Sequence, residues 1–216
     1  MVILALDAAL ARCSATLVDG GRVVAARRVE GARGQMALAG MVQAVLAGVD
    51  PSGLDGVAVT VGPGSFTGLR SAIALAHGVA LGAGSPVVGV SVAEALAAGA
   101  VGLMGRALWV AIDTKRGRVF LTREGVAESV ALDDLPHPGG PIAVAGDAAI
   151  AVFARLAARG CDVMLSDARL PDGGAIAAVG ARRLRGEIGP LAAQPLYIDP
   201  PEAKLPAGGL RPAPTG

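Results

Sequence analysis

Two short apolar runs, each closing on an aspartate, head the two halves of the chain: Val2-Ile3-Leu4-Ala5-Leu6-Asp7 and Ala107-Leu108-Trp109-Val110-Ala111-Ile112-Asp113. Runs this short and continuous suit strands that are covered on both faces. In the first half, residues 14–18 and 22–29 read as strands joined at Asp19-Gly20-Gly21, a hairpin signal. Residues 34–49 then place Leu38, Met41, Val42, Val45, Leu46 and Val49 at helical spacing, until Asp50-Pro51-Ser52-Gly53 stops the pattern. A strand at 56–61, a sharp loop, a helix at 66–81, a strand at 86–90 and a helix capped by Ser91 follow. The second half is read as strands at 107–113, 117–122 and 126–130, a strand at 141–145, a helix at 147–158, a strand at 161–165 and a helix at 173–184. Leu4-Ala5-Leu6-Asp7 aligns with Val110-Ala111-Ile112-Asp113, and Val57-Ala58-Val59 with Ile142-Ala143-Val144. Three antiparallel strands followed by β-α-β-α, present twice, predict two α/β lobes. The expected division is 1–103, 104–198 and a mobile Pro-rich tail at 199–216, since residues 195–216 hold six of the 14 prolines.

Composition removes several classes of function. A hydrophobic fraction of 53% with 17% charged residues excludes intrinsic disorder, and Ala, Val, Leu and Gly imply a core of small side chains. No apolar run approaches the roughly 18 residues of a membrane span. The N-terminus lacks a basic region and meets Asp7 at once, so it reads as a buried strand rather than a signal peptide. Cys13 and Cys161 are too few for a disulfide framework or a cysteine zinc site, which makes a reduced cytoplasm the expected setting. A net charge of +1 argues against broad nucleic-acid binding by the chain alone. His77 and His137 cannot form a His-x-x-x-His metal motif.

The element order is that of the RNase H-like, actin-type fold, whose members in many enzymes bind nucleotides between the lobes. Gly62-Pro63-Gly64-Ser65-Phe66-Thr67-Gly68-Leu69-Arg70 is the most specific local feature. It joins a strand to a helix, with Ser65 or Thr67 placed to cap the first turn. It is either a stiff corner or a loop whose exposed backbone N–H groups hold an anion. No Gly-Lys-Ser/Thr ends it, so it is not a Walker loop. Asp7 is a candidate cleft acid, with hydrogen bonding to neighbouring backbone N–H groups as the plainer reading; Asp113 is read the same way. No His or Lys lies near Ser65 in sequence to activate it as a nucleophile. The clusters Arg27-Arg28 with Arg33, Lys115-Arg116 with Arg118, and Arg182-Arg183 with Arg185 read as solvated faces. The helices at 34–49 and 66–81 are apolar on more than one face, and a lobe of about 100 residues has difficulty burying both. They therefore predict a protein interface through Leu38, Met41, Val42, Val45, Leu69, Ile73, Ala76, His77 and Ala80.

The nine-residue loop, preceded by Gly56-Val57-Ala58-Val59-Thr60-Val61, resembles the TsaB (YeaZ) family. Ile3-Leu4-Ala5-Leu6-Asp7, Val87-Val88-Gly89-Val90-Ser91, Ala111-Ile112-Asp113, Arg116-Gly117-Arg118-Val119-Phe120, Ala145-Gly146-Asp147 and Pro195-Leu196-Tyr197-Ile198 support the likeness over about residues 1 to 198. The chain departs from the family at Asp7-Ala8-Ala9, where Asp-Thr-Ser is usual, and at Gln35-Met36-Ala37, where His-Ser-Glu is common. The resemblance implies a non-catalytic dimerisation subunit for N6-threonylcarbamoylation of adenosine 37 in tRNA. It implies a TsaD-like catalytic partner that carries the metal and threonylcarbamoyl-adenylate, a TsaE-like ATPase as third subunit, and a homodimer when the chain is alone. It also implies tRNA contact only within the complex, no membrane association, and no cofactor on this chain. Two rival readings remain: a nucleotide-binding regulatory module, and a glycoprotease-like or sugar-kinase-like enzyme of the same fold.

Overall fold

The computed structural model of the chain describes residues 1–31 and 34–198, residues 34 and 35 by their backbone alone. The tail expected to be mobile, and Arg33, lie outside the described residues. The first lobe contains β1 (Val2–Asp7), β2 (Arg12–Asp19), β3 (Arg22–Glu30), α1 (Gly34–Val45), β4 (Gly56–Gly62), α2 (Phe66–Ala83), β5 (Val87–Ser91) and α3 (Val92–Gly99). Its sheet runs β3-β2-β1-β4-β5, antiparallel across the first three strands and parallel thereafter. The second contains β6 (Ala107–Asp113), β7 (Arg118–Arg123), β8 (Val126–Ala131), β9 (Ile142–Ala145), α4 (Ala149–Ala158), β10 (Val163–Leu165) and α5 (Gly173–Leu184), with sheet order β10-β9-β6-β7-β8. Each sheet thus has its first strand at the centre, flanked by a hairpin on one side and two parallel strands on the other.

The continuous apolar character of β1 follows from its two covered faces. Successive side chains of a strand point to opposite sides. Leu4 and Leu6, with Val57 and Val59 of β4, pack with Leu38 and Met41 of α1 and Leu69 and Ala76 of α2. Ile3, Ala5 and Ala58 face the other way and pack with Ile176, Ala177 and Val179 of α5. The last helix of the second segment therefore covers the first sheet, where it contacts β1, β2, β4 and β5. The division near residue 103 separates the two sheets but not the helices that cover them. Small residues permit this close seat: a Cβ on Gly180 would overlap Ala58, and one on Gly173 would overlap Thr16.

The second lobe is a reduced copy of the first. A single 3-10 turn, Leu132–Asp134, stands where the first lobe has α1. On one face, Trp109 and Val144 pack against Val152 and Leu156 of α4. On the other, Val110, Ile112 and Ala145 join the first lobe's cluster with Val92 and Leu96 of α3. The lobes consequently share apolar packing. β3 is exposed along most of its length, and Arg22, Arg27, Arg28 and Glu30 guard this sheet edge against further pairing.

Three helix boundaries differ from the sequence expectation. α1 stops at Val45, and the chain turns through Gly48 at φ 79°. α2 continues to Ala83 and ends on Gly84 in the left-handed region, φ 64°. α4 begins at Ala149 rather than residue 147, where the Asp147 carboxylate accepts from the Asp113 backbone N–H at 2.8 Å. Ser91 caps α3 as expected, in a reciprocal box with Glu94. Among the described residues no helix is long and apolar enough to cross a membrane.

Candidate functional site

The specific loop turns out to be tied to the end of β1. Ser65 N donates to the Ala9 carbonyl at 2.7 Å, and the Ser65 hydroxyl accepts from Gly68 N at 3.2 Å to cap α2. A side chain at Gly64 would run into the Ala9 carbonyl, and one at Gly68 into that of Ala8. Glycine is required at both positions because two backbones touch. Gly62, at φ 119° and preceding a cis bond to Pro63, has Leu69 and Leu196 as neighbours. Of the two readings of the loop, this geometry supports the stiff corner.

Asp7 is fully buried. Its Oδ1 accepts from Ala9 N at 3.0 Å and from the Thr60 hydroxyl at 2.6 Å. Among the described residues its Oδ2 has no hydrogen-bond partner. Desolvation pushes the carboxyl up to about 6, against the opposing pull of Thr60, Ala9 N–H and the more distant Arg12 charge. A nucleotide with its magnesium would need this carboxylate, or the backbone beside it, open to the cleft. Instead Ala8 and Ala9 are buried as completely as Asp7. A cavity of about 330 Å³ bounded by Arg12, Leu96, Val101, Asp167 and Asp172 does not reach Asp7 or the loop. These residues do not fit a metal–nucleotide pair.

The predicted interface residues require correction. Leu38, Met41, Val42, Val45, Leu69, Ile73, Ala76 and Ala80 are all buried within this chain's own core. Met41→Asp or Ala76→Arg would consequently probe folding, not association. The reason lies in the composition: both helices carry small or apolar residues all round, so periodicity did not distinguish the covered stripe from the exposed one. The outward face includes Met36, Ala39, Gly40, Gln43 and Ala44 of α1, with Ser71, Ala74, His77, Gly78 and Leu81 of α2. Met36 is 90% and Leu81 86% exposed, and a Cβ at Gly40 or Gly78 would meet open space. His77 differs from the others in being exposed, and its Nε2 lies 2.9 Å from the Ala193 carbonyl.

That contact belongs to a strap, residues 191–198, that crosses the first lobe. Gly89 N donates to the Leu191 carbonyl at 2.8 Å, and Leu196 N to the Val61 carbonyl at 2.8 Å. At its end Tyr197 accepts from Arg70 at 3.1 Å, while the Arg70 guanidinium stacks 3.9 Å from the Phe66 ring centre. Gly64, Phe66, Thr67 and Arg70 are the exposed part of the loop motif.

The middle arginine of the last basic cluster is not solvated. Arg183 is buried, donating to the Gly89 carbonyl at 2.7 Å, to the Gly189 carbonyl at 2.8 Å and to Glu94 at 2.5 Å. Desolvation pushes the Glu94 carboxyl up, but hydrogen bonds from Ser91 and Arg183 outweigh it and hold the group below its usual range. In the second lobe Asp113 accepts from Lys115 N at 2.7 Å and pairs with the Lys115 ammonium at 2.7 Å, which lowers its titration. Burial pushes Asp147 up. With Ile150 and Ala154 these groups border a groove of about 550 Å³.

Two five-stranded sheets with their first strands central, packed through a shared core, define a two-lobed α/β protein of the RNase H-like, actin-type class. The family model for TsaD, tRNA N6-adenosine threonylcarbamoyltransferase, matches residues 35–139. The TsaB tRNA threonylcarbamoyladenosine biosynthesis protein of Escherichia coli K12 is 37% identical over 123 residues, 56% of this chain and 53% of that protein. Its Haemophilus influenzae namesake is 30% identical over 126 residues, 57% of this chain and 53% of that protein. The aligned stretch therefore spans about half the length of these curated relatives. A Pseudomonas aeruginosa crystal structure, described as similar to peptidase YEAZ, superposes with a TM-score of 0.73 at 26% identity, covering 92% of this chain and 99% of that one. The chain is thus similar in sequence to TsaB proteins over about half of their length, and in fold to a YeaZ-like structure over nearly all of it.

Proposed function

We propose that the chain is a non-catalytic scaffold in the N6-threonylcarbamoylation of adenosine 37 of tRNA, pairing with a TsaD-like catalytic subunit. The observation that carries this reading is the uncovered outer face of α1 and α2, where Met36, Ala39, Gly40, Ala44, Ala74, Gly78 and Leu81 lie exposed and, among the described residues, only Gln43, Ser71, His77 and, at the start of α2, Thr67 and Arg70 add polar or ionisable side chains. Small residues let a partner's helices approach closely, and burying Met36 and Leu81 supplies apolar free energy at roughly 25 cal/mol per Å² before the costs of association. The closed surroundings of Asp7 support the non-catalytic part of the reading. In this account the metal and threonylcarbamoyl-adenylate sit on the TsaD-like subunit, ATP on a TsaE-like third subunit, and tRNA meets this chain only within the assembly. Alone, the chain uses the same face for a homodimer, and the setting is cytoplasmic.

The test is a transfer assay with tRNA, threonylcarbamoyl-adenylate and the TsaD-like subunit, with and without this chain. Transfer dependent on the chain is the expected result; full transfer without it contradicts the proposal. Ala74→Glu on the outer face is expected to weaken association at least about tenfold and to change folding stability by under about 0.5 kcal/mol. Sedimentation and urea unfolding of the same preparation check both parts.

A further inference from the structure

We propose that Cys161 is a nucleophilic thiol served by His137, a site of mixed-disulfide formation with low-molecular-weight disulfides. The two residues are 24 apart in sequence, one in the loop before β9 and the other between α4 and β10, and the fold brings Cys161 Sγ to 3.6 Å from His137 Nε2. The other ring nitrogen, Nδ1, lies 3.0 Å from the Pro138 carbonyl. A carbonyl only accepts, so this contact places the imidazole proton on Nδ1. Nε2 is then left with a lone pair directed at the thiol, the arrangement that allows an imidazole to act as base toward a cysteine.

The surrounding structure holds the pair together. Arg159 donates to the Leu135 carbonyl at 2.5 Å and fastens the histidine loop to the end of α4. Leu135 is buried, and Cys161 N donates to the Leu156 carbonyl at 3.1 Å. Charged groups on the adjoining elements are Arg159, the exposed Asp134, the Arg155–Asp133 pair at 3.2 Å and the Arg106–Asp162 pair at 2.7 Å. Among them Arg159 has its charge turned to a carbonyl, and the two pairs are internally neutral. The C-terminus of α4 also precedes Cys161 and opposes negative charge there. That opposition makes a proton acceptor on His137 the more consequential. Cys161 is only partly covered, whereas Cys13 is buried beside Asp7 and has its thiol pushed up by desolvation and then by that carboxylate.

The step balances. His137 Nε2 takes the thiol proton, Cys161 Sγ bonds to one sulfur of the small disulfide, and its S–S bond breaks. The second sulfur leaves as thiolate and takes the proton from the imidazolium. No further oxidant is needed, because the disulfide is the electron acceptor.

The experiment uses the full chain and glutathione disulfide, with adducts located by peptide mass and Cys13 as internal control. At pH 7 the adduct is expected on Cys161 and not on Cys13, and His137→Ala is expected to slow its formation about tenfold. At about pH 9.5, where thiols ionise without assistance, the two rates are expected to converge. His137→Gln, which retains a polar side chain without an imidazole base, is expected to match His137→Ala. Equal rates at pH 7, an unmodified Cys161, or a difference that persists unchanged at the higher pH would each overturn the proposal.

Discussion

Replacing Arg183 by Ala is expected to lower folding stability by about 3 kcal/mol, the lower end of the cost of removing one member of a buried ion pair. The guanidinium serves two carbonyls and one carboxylate, on the β5–α3 stretch and on the loop after α5. Its loss leaves the Gly89 and Gly189 carbonyls without this donor and Glu94 without its counter-charge. The Glu94 side chain is 36% exposed, so water recovers part of the cost, which places the expectation at the lower end of the range. Arg183→Lys retains the charge but lacks the fork that reaches three acceptors, and is expected to recover about half of the loss. Urea unfolding of the three proteins checks the order. An Arg183→Ala protein within about 0.5 kcal/mol of the parent would mean that α5 is held to the first lobe by apolar packing alone.

The second large effect concerns pH. Burial pushes the Asp7 carboxyl up to about 6, from an ordinary aspartate value of 3.8. Its folded pKa is raised, so its contribution is most favourable below the unfolded pKa and is lost as pH rises through the folded one. Stability should therefore fall by about 3 kcal/mol between about pH 3 and pH 7 on account of this residue, and stay level above. Asp7→Asn removes the buried charge but places an amide where Oδ2 lacked a partner, which returns part of the benefit. The expected net gain is about 1–2 kcal/mol at pH 7.5, vanishing toward pH 4. Thermal unfolding at the two pH values measures it. A loss of stability at pH 7.5 would show that the ionised carboxylate has a favourable partner and that the closed reading of this acid is wrong.

Much of the fold was legible before the structure. The apolar runs at Val2–Asp7 and Ala107–Asp113 mark the two central strands, and the span of α5, Gly173–Leu184, matches the expectation. Its destination does not follow from periodicity, which reports that a helix has a covered face but not which sheet supplies the cover. The same limit inverted the interface assignment. With Ala and Gly on both sides of α1 and α2, burial was decided by the sheet beneath and not by a contrast within either helix. Arg183 was hidden in a basic cluster. Arg182 and Arg185 pair with Glu187 at 3.6 and 2.5 Å, while the residue between them turns inward. The Cys161–His137 contact had no local signal, since neither residue lies near the other in sequence. The nine-residue loop was legible as a special backbone, but its reason, contact with Ala8 and Ala9, appears only in three dimensions.

In the proposed assembly the outer face of α1 and α2 receives a TsaD-like partner while Asp7 stays enclosed. Multi-angle light scattering of the chain mixed with that subunit, in parental and Leu81→Glu forms, tests it most directly. A discrete complex with the parent that is lost or much reduced with Leu81→Glu is the expected result. A complex of equal mass and stability in both would place the partner on another surface and contradict the account.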